Sequence, residues 1–308
     1  MAYGTGVTHN PHTPKVAEAL KVAQISALRR VLGAYKATPI RNLELETFCP
    51  PLDLYFNKRL VDFETRLENS GMGERIRQAC RQIRGRLRNR RGRPRAYRSI
   101  PDHKEWAATW APTPPPPPPP PPGQKPRKLQ KPSDIALIRD WKARWVAHGS
   151  RKKRAADTTL KGAFAGGHLR LYAGLRKAQS SVLAQMRTGK IGLAAFLYYR
   201  KVPGQLAPVC NCGRGHQTPE HLFFQCVDPR SRRLKALGYT TEQEVREALS
   251  RPEPAMKMAQ CLLRSGWLQE FQLSERIRES EDTANVLAGW NPKPPPERHK
   301  KRKRRVAP

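Results

Sequence analysis

Acidic residues are scarce in this 308-residue chain: 25 aspartates and glutamates stand against 59 lysines and arginines. No two aspartates are adjacent, and Asp134, Asp140 and Asp157 lie apart from one another, in stretches without a strand pattern. Polymerases and nucleases that use two metal ions need several carboxylates close together. The sequence therefore predicts a protein without that chemistry, and we expect it to be non-catalytic.

Long apolar runs are also missing. No segment approaches the roughly 18 consecutive apolar residues that cross a bilayer, and Met1 to His12 lacks the apolar core of a signal peptide. We therefore expect no membrane partner, and six reduced cysteines without disulfides. Because hydrophobic content is 38% and mean hydropathy is −0.73, we expect part of the chain, including 1–12 and 281–308, to be disordered.

The formal charge of +34 favours a polyanionic partner, and nucleic acid is the expected one. Eleven arginines and no acid lie between Arg75 and Arg98. Arginine binds phosphate through two parallel hydrogen bonds, which favours contact with the backbone rather than with particular bases. The alternative is a solvated helix end. The candidate contacts in this run are Arg81, Arg84, Arg86, Arg88, Arg90, Arg91, Arg93 and Arg95.

Apolar residues recur at helical spacing, which predicts a mainly α-helical fold with an N-terminal module at 13–98 and a C-terminal module at 133–280. In the second module we expect a helix capped by Ser133, one long helix from His168 to Thr188 with Gly174 inside it, and a capping box at Thr241 to Glu244. Three predicted core stripes of the first module are Leu20, Ala23, Ala27 and Val31, widened by Leu28, Leu32 and Tyr35; Phe56, Leu60, Phe63 and Leu67; and Ile76, Cys80, Ile83 and Leu87.

A proline-rich linker is predicted at 99–132, where nine consecutive prolines run from Pro114 to Pro122. Such a run forms a semi-rigid polyproline II rod of about 28 Å, at about 3.1 Å per residue. It is a possible ligand for SH3 or WW domains. The alternative is a simple spacer between the two modules.

The segment 210–226, called the knuckle below, contains three of the six cysteines. Cys210, Cys212, His221 and Cys226 form the donor set of a closed, structural zinc site. Thr218 is expected to cap a short helix that carries His221 and Cys226. Because residues five apart on an α-helix are about 140° apart, the last turn must loosen for both to face one ion. His216 is the alternative nitrogen donor, but His221 is favoured because the apolar Leu222–Phe224 run would fix its ring.

Two blocks of the chain resemble the region after the polymerase domain in fungal non-LTR (LINE, Tad-type) retrotransposon reverse transcriptases. The first block is Val31 to Ile40 with Leu43-Glu44, Pro50-Pro51 and Arg59; the second is Leu175 to Ser181, Met186 to Leu193, and Arg200 through Cys226. Together the blocks cover somewhat over half of the chain.

The resemblance implies parts of a reverse transcriptase that grip the RNA or the DNA target, without the polymerase and ribonuclease H domains that carry the catalytic carboxylates. It places Cys210, Cys212, His221 and Cys226 at the family's cysteine/histidine motif. In the same block, four basic residues recur at helical spacing and either bind RNA or form a solvated face: Arg176, Lys177, Arg187 and Lys190.

The C-terminal segment predicts a location rather than a fold. Lys300, Lys301, Arg302, Lys303, Arg304 and Arg305 form a basic tail typical of nuclear-import or RNA-binding sequences. We therefore expect a nuclear protein or a cytoplasmic ribonucleoprotein. A protein-binding scaffold, with the charge serving solubility and import, is the alternative function, and a non-functional retroelement fragment is another.

Overall fold

The computed structural model describes residues 9, 11–12, 15–86, 104–113, 131–149, 164 and 166–272. These residues confirm the predicted mainly helical fold and contain no β-strand; an isolated antiparallel bridge joins Val209 to His216. Pro114 to Pro122 and the tail 281–308 lie outside the described residues, as does most of 1–12. In the described ranges, no helix has both the length and the apolar character that a membrane crossing requires.

The chain forms α-helices of very different lengths, from one turn to five. In chain order those of the described residues are α1 Lys15–Leu32, α2 Ile40–Glu46, α3 Leu52–Asn69, α4 Gly73–Arg86, α5 Lys104–Trp110, α6 Pro132–Gly149, α7 Lys177–Thr188, α8 Ala194–Tyr199, α9 Arg232–Lys235, α10 Glu242–Ala248 and α11 Pro252–Arg264. Two 3-10 helices occupy Gly167–Tyr172 and Pro229–Ser231, and a π-helical turn occupies His221–Gln225.

The helices of the first half bury the predicted stripes only in part. In α3, Phe56 and Leu60 are buried as expected. In α1 the buried face is rotated from the prediction: Leu28 and Leu32 are buried, whereas Val31 is 63% exposed. Both sides of α1 are apolar enough to pack, and the side that faces Leu43 of α2 and Ala184 of α7 is the one that is buried.

Part of the predicted linker is a helix. Helix α5 begins within 99–132 and packs on α3, with Ala107 buried beside Val61 and Ala136. Its Trp110 also donates a hydrogen bond from Nε1 to Asp140 Oδ2 of α6, over 2.8 Å. The linker prediction is therefore wrong for 104–110, because these side chains find apolar partners on both sides of the proline run.

Helix α6 follows the proline run and packs against α3, which precedes it. Trp141 and Trp145 of α6 are buried against Leu45 and Leu54. Ser133 does not cap α6 as predicted; its hydroxyl donates a hydrogen bond to Asp62 Oδ1, over 2.7 Å. The helices on the two sides of the proline run therefore pack together, and the predicted division into two modules does not coincide with a boundary in the packing.

A buried ion pair joins the two halves of the chain more closely still. Arg187 Nε of α7 lies 2.6 Å from Glu46 Oε1 at the end of α2, and both side chains are at most 1% exposed. Tyr172 donates its hydroxyl hydrogen to the same carboxylate, and Arg187 Nη1 donates to the carbonyl of Leu249 over 2.7 Å. Four separate stretches of the chain therefore meet at one charge pair.

The largest apolar core lies in the second half, where α7 packs against α11. The predicted long helix from His168 to Thr188 is wrong in one respect: Gly174 takes φ +78° and separates a 3-10 turn from α7. The predicted capping box opens α10, since Glu244 N donates to Thr241 Oγ1, and the Glu244 carboxylate also accepts the backbone N–H of Thr240 over 2.8 Å.

Arg187→Ala should lower the free energy of unfolding by about 3–5 kcal/mol, because it leaves the buried carboxylate of Glu46 without its charged partner. Urea unfolding followed by circular dichroism measures this. Arg176→Ala, at the exposed start of the same helix, is the control and should change stability by less than about 0.5 kcal/mol. Equal midpoints for the two variants would contradict the structural role of the pair.

Candidate metal centre

A tight hairpin places the first two cysteines of the knuckle. Cys210 N donates to the carbonyl of Gly215 over 2.8 Å, and Gly213 N donates to the carbonyl of Cys210 over 2.9 Å. Gly213 takes φ +74°, a backbone conformation that favours glycine. The turn therefore brings the sulfurs of Cys210 and Cys212 into the same group of potential metal donors.

A widened helical turn places the other two donors. The backbone N–H of Cys226 donates to the carbonyl of His221 over 2.8 Å, which closes a π-helical turn of five residues. This confirms the expectation that the turn must loosen, because the wider turn brings residues five apart towards one side. Thr218 Oγ1 accepts the backbone N–H of His221 over 3.3 Å and caps the turn as predicted.

The four donor atoms of Cys210, Cys212, His221 and Cys226 lie within 4.8 Å of one another. Cys210 Sγ is 3.6 Å from Cys226 Sγ, and Cys212 Sγ is 3.1 Å from His221 Nε2. Sulfur atoms held about 2.3 Å from one tetrahedral ion lie about 3.8 Å apart. The cluster could therefore hold a metal ion, and the Cys210–Cys226 separation already matches such a site.

The donors are anchored in the large core of the second half. Cys210 and Cys226 are 2% and 0% exposed, and they pack with Leu222, Phe223 and Leu234. His221 is itself buried beside this core, at 4% exposed. His221 Nδ1 is buried without a hydrogen-bond partner, and a methyl group at position 215 would lie 3.3 Å from it, so Gly215 leaves room for the ring.

Without a cation, the thiols of the cluster differ in acidity. Hydrogen bonds, led by the backbone N–H of Arg214, lower the pKa of Cys212 to about 6. Burial raises the pKa of Cys210 to about 12. A bound cation removes this difference, because metal ligation requires the thiolate form of each cysteine.

The side chain of Arg230 lies close to the cluster. The charges of Cys210 and Cys226 raise the pKa of Arg230, after the larger effect of its hydrogen bond to Asp228. The guanidinium of Arg230 also lies over the ring of Trp267, 5.4 Å from its centroid. Three thiolates around a divalent cation leave one net negative charge, and Arg230 is placed to offset it.

His216 is not part of the donor cluster. It is exposed, and its Nδ1 lies 3.3 Å from the hydroxyl of Tyr199. The two rings are tilted with centroids 6.0 Å apart. His221 is therefore the histidine that accompanies the three cysteines.

The predicted nucleic-acid contacts fall into three groups. Arg176 and Lys177 are exposed at the start of α7, although Lys177 Nζ also donates to the carbonyls of Arg30 and Val31. Lys190 is half-buried. The prediction for Arg187 is wrong, because this residue is 2% exposed and paired with Glu46.

Only a small part of the arginine run lies within the residues that the structure describes. Arg81, Arg84 and Arg86 belong to α4, but the structure describes only their backbone. Arg88, Arg90, Arg91, Arg93 and Arg95 lie outside the described residues altogether. Phosphate binding by this run stays a prediction.

An exposed surface beside the knuckle was not predicted from the sequence. Tyr199 is 64% exposed and touches both Tyr198 and His216. Exposed basic residues adjoin these rings along the chain. We call this surface the tyrosine–histidine face, and it comprises Tyr198, Tyr199, Arg200, Lys201, Arg214 and His216. The signal in the sequence is two tyrosines followed by two basic residues, shortly before a Pro-Gly turn.

Comparisons of the chain with protein-family models, with curated proteins and with solved structures found no match.

The reduced chain should bind one Co²⁺ with the absorption spectrum of a tetrahedral thiolate site, because four donors already surround one point. Cys226→Ser removes a buried donor and should abolish that spectrum. His216→Ala is the matched control beside the site and should retain it. Identical titrations of Cys226→Ser and the unmodified chain would rule out this cluster as the metal centre.

Proposed function

We propose that the chain is a non-catalytic nucleic-acid-binding protein in which zinc orders the knuckle and the knuckle supports the tyrosine–histidine face. The observation that carries this proposal is the position of His216. It lies within the hairpin that holds Cys210 and Cys212, and it contacts Tyr199 on the adjoining helix. An ion at the cluster therefore stabilises the loop on which the exposed face depends.

Zinc is the metal that suits the donor set. Three thiolates and one imidazole are typical ligands of structural zinc, and such sites are tetrahedral and closed. Soft sulfur ligands disfavour magnesium and calcium, which prefer oxygen. The buried donors Cys210 and Cys226 leave little room for a water or substrate at a further position.

Nucleic acid is the partner that fits both the charge and the exposed rings. A formal charge of +34 attracts a polyanion, and the phosphate backbone supplies one with regular spacing. Exposed tyrosines next to arginine and lysine are suited to single strands, since unpaired bases stack on aromatic rings while cations contact the phosphates. Tyr199, Arg200 and Lys201 offer this combination within three residues.

The origin and location of the protein form a second part of the proposal. The two blocks that resemble the retrotransposon reverse transcriptases pack together: Lys177 Nζ of the second block donates to the carbonyl of Val31 in the first. This contact supports one folded remnant of such an enzyme rather than two unrelated pieces. The basic tail from Lys300 to Arg305 supports a nuclear or ribonucleoprotein location. The scaffold alternative rests on the proline run alone.

Affinity for a single-stranded RNA should fall steeply with salt. If about five phosphates are contacted, log affinity against log salt should have a slope near −3.5 on a single strand, and near −4.5 on a DNA duplex. Fluorescence anisotropy of labelled oligonucleotides measures both slopes. A slope near zero would exclude phosphate contact as the source of binding.

Zinc dependence is tested in the same assay with a matched pair of cysteine variants. Cys210→Ser should weaken RNA binding, because the hairpin loses its buried donor. Cys261→Ser should not, since Cys261 packs against the same core without joining the donor cluster. Equal affinities of these two variants would show that binding does not depend on the metal.

Stacking is tested at Tyr199. Tyr199→Ala should weaken single-strand binding by about 5- to 150-fold, which corresponds to about 1–3 kcal/mol for one stacked base. The control is Leu206→Ala, which removes an apolar side chain that is 90% exposed and lacks a ring. If both variants bind as the unmodified chain does, the tyrosine–histidine face is not the contact surface.

A further inference from the structure

A cleft of about 500 Å³ lies away from the metal donors. Its walls come from α1, from α2, from the start of α3 and from α6. Trp141 and Trp145 form the apolar side. The polar lining consists of Glu18, Lys21, Gln24, Arg41, Glu44, Asp53 and Arg144. A volume of this size suits one planar ring system with a substituent.

Three polar groups that line this cleft have unused hydrogen-bonding capacity. The Glu44 side chain is 7% exposed and forms no hydrogen bond or ion pair with a described residue. Trp145 Nε1 and Gln24 Oε1 are buried without hydrogen-bond partners. Buried polar groups are normally paired, because an unpaired one costs about 1–3 kcal/mol and a charged one costs more. The residues that line the cleft therefore carry a carboxylate, one further acceptor and one donor that no described residue engages.

The other charges at the cleft are already engaged or lie at its edge. Arg144 pairs with Asp53, and Arg41 lies over the ring of Trp145 with its Nη1 donating to the carbonyl of that residue. Lys21 and Glu18 are exposed on α1. A neutral planar ligand with donor hydrogens therefore satisfies the interior, while an attached phosphate meets the basic residues at the edge.

We propose that this cleft binds one unpaired guanine base of a single-stranded nucleic acid, an inference that depends on nucleic-acid binding by the chain. A carboxylate with two acceptor oxygens requires two adjacent donors. On its base-pairing edge, guanine presents the adjacent donors N1–H and N2–H. Adenine, cytosine and uracil each place an acceptor next to their donor. Unstacked bases are read on this edge in single-strand recognition.

The remaining groups agree with this assignment. Guanine carries the acceptors O6 and N7, and the indole N–H of Trp145 supplies a donor. The indoles of Trp141 and Trp145 form an aromatic wall, and the Arg41 guanidinium lies over the ring of Trp145. Lys21 lies on the exposed side, where a phosphate attached to the base would be held.

Binding of guanine should depend on pH. Burial raises the pKa of Glu44 to about 7, with the charges of Lys21 and Arg144 lowering it and that of Asp53 raising it. Guanine needs the ionised carboxylate, so its binding is favoured above this pKa and lost as pH falls through it. The guanine-dependent part of the affinity should therefore be about tenfold weaker at pH 6 than at pH 8.

The test uses the full chain, loaded with zinc, and oligo-uridine of about ten nucleotides with one central substitution. Guanine should bind about tenfold or more tightly than adenine, cytosine or uracil at that position. Inosine, which lacks the N2 amine, should lose most of this preference. These comparisons need no protein variant, so they hold even if a variant at Glu44 fails to fold.

Glu44→Gln should abolish the guanine preference, so that the guanine-containing oligonucleotide and plain oligo-uridine bind equally. Glu18→Gln is the matched control, because it removes the same charge from the exposed edge of the cleft, and it should keep the preference. Equal binding of all four bases would overturn the guanine assignment while leaving the proposed function intact. Absence of binding to every oligonucleotide would instead defeat the proposed function.

Discussion

The buried pair of Arg187 and Glu46 is the interaction on which the arrangement of the helices depends. Two charges removed from water must be matched closely in position, because otherwise their desolvation is not offset. Glu46 Oε1 accepts hydrogen bonds from Arg187 Nε and from the Tyr172 hydroxyl. Arg187 Nη1 donates to the carbonyl of Leu249. The positions of α2, α7 and the loop after α10 are thereby fixed relative to one another, although the pair spans 141 residues of sequence.

The proline run does not divide the fold, because the buried pair of Glu46 and Arg187 joins helices from both sides of it. The stretch around Gly33 lies so close to α7 that a methyl group at position 33 would be 2.2 Å from Ser181 Oγ. Glycine there, with φ +60°, ends α1 and allows the approach. The knuckle depends on this packed assembly in turn, because its π-helical turn rests on the core that α7 and α11 form. A metal ion would order a loop whose surroundings are already built.

Local chemistry was predictable from the sequence, and long-range pairing was not. The knuckle donors, the Thr218 cap and the loosened turn at Cys226 follow from spacing within seventeen residues. Arg187 was assigned to a basic surface because its spacing matches Arg176 and Lys190, and nothing in that spacing points to Glu46. The rotation of α1 was missed for a similar reason. The sequence does not show which of its two apolar sides a distant helix covers.

Two glutamates of α2 show how the same residue type takes different roles. Glu46 is buried and paired with Arg187, whereas Glu44, two residues earlier and on another side of the helix, is buried against an open cleft without a hydrogen-bond partner. The chain carries a charge of +34, so cations are plentiful. Lys21 and Arg144 nevertheless interact with the Glu44 carboxylate only electrostatically, without a hydrogen bond. The unmet hydrogen-bonding capacity therefore lies inside the cleft, where a neutral ligand with two donors satisfies it and a surface cation does not. In the function proposed here, charge would attract any polyanion, while the shape and the unpaired groups of this cleft would select among bases.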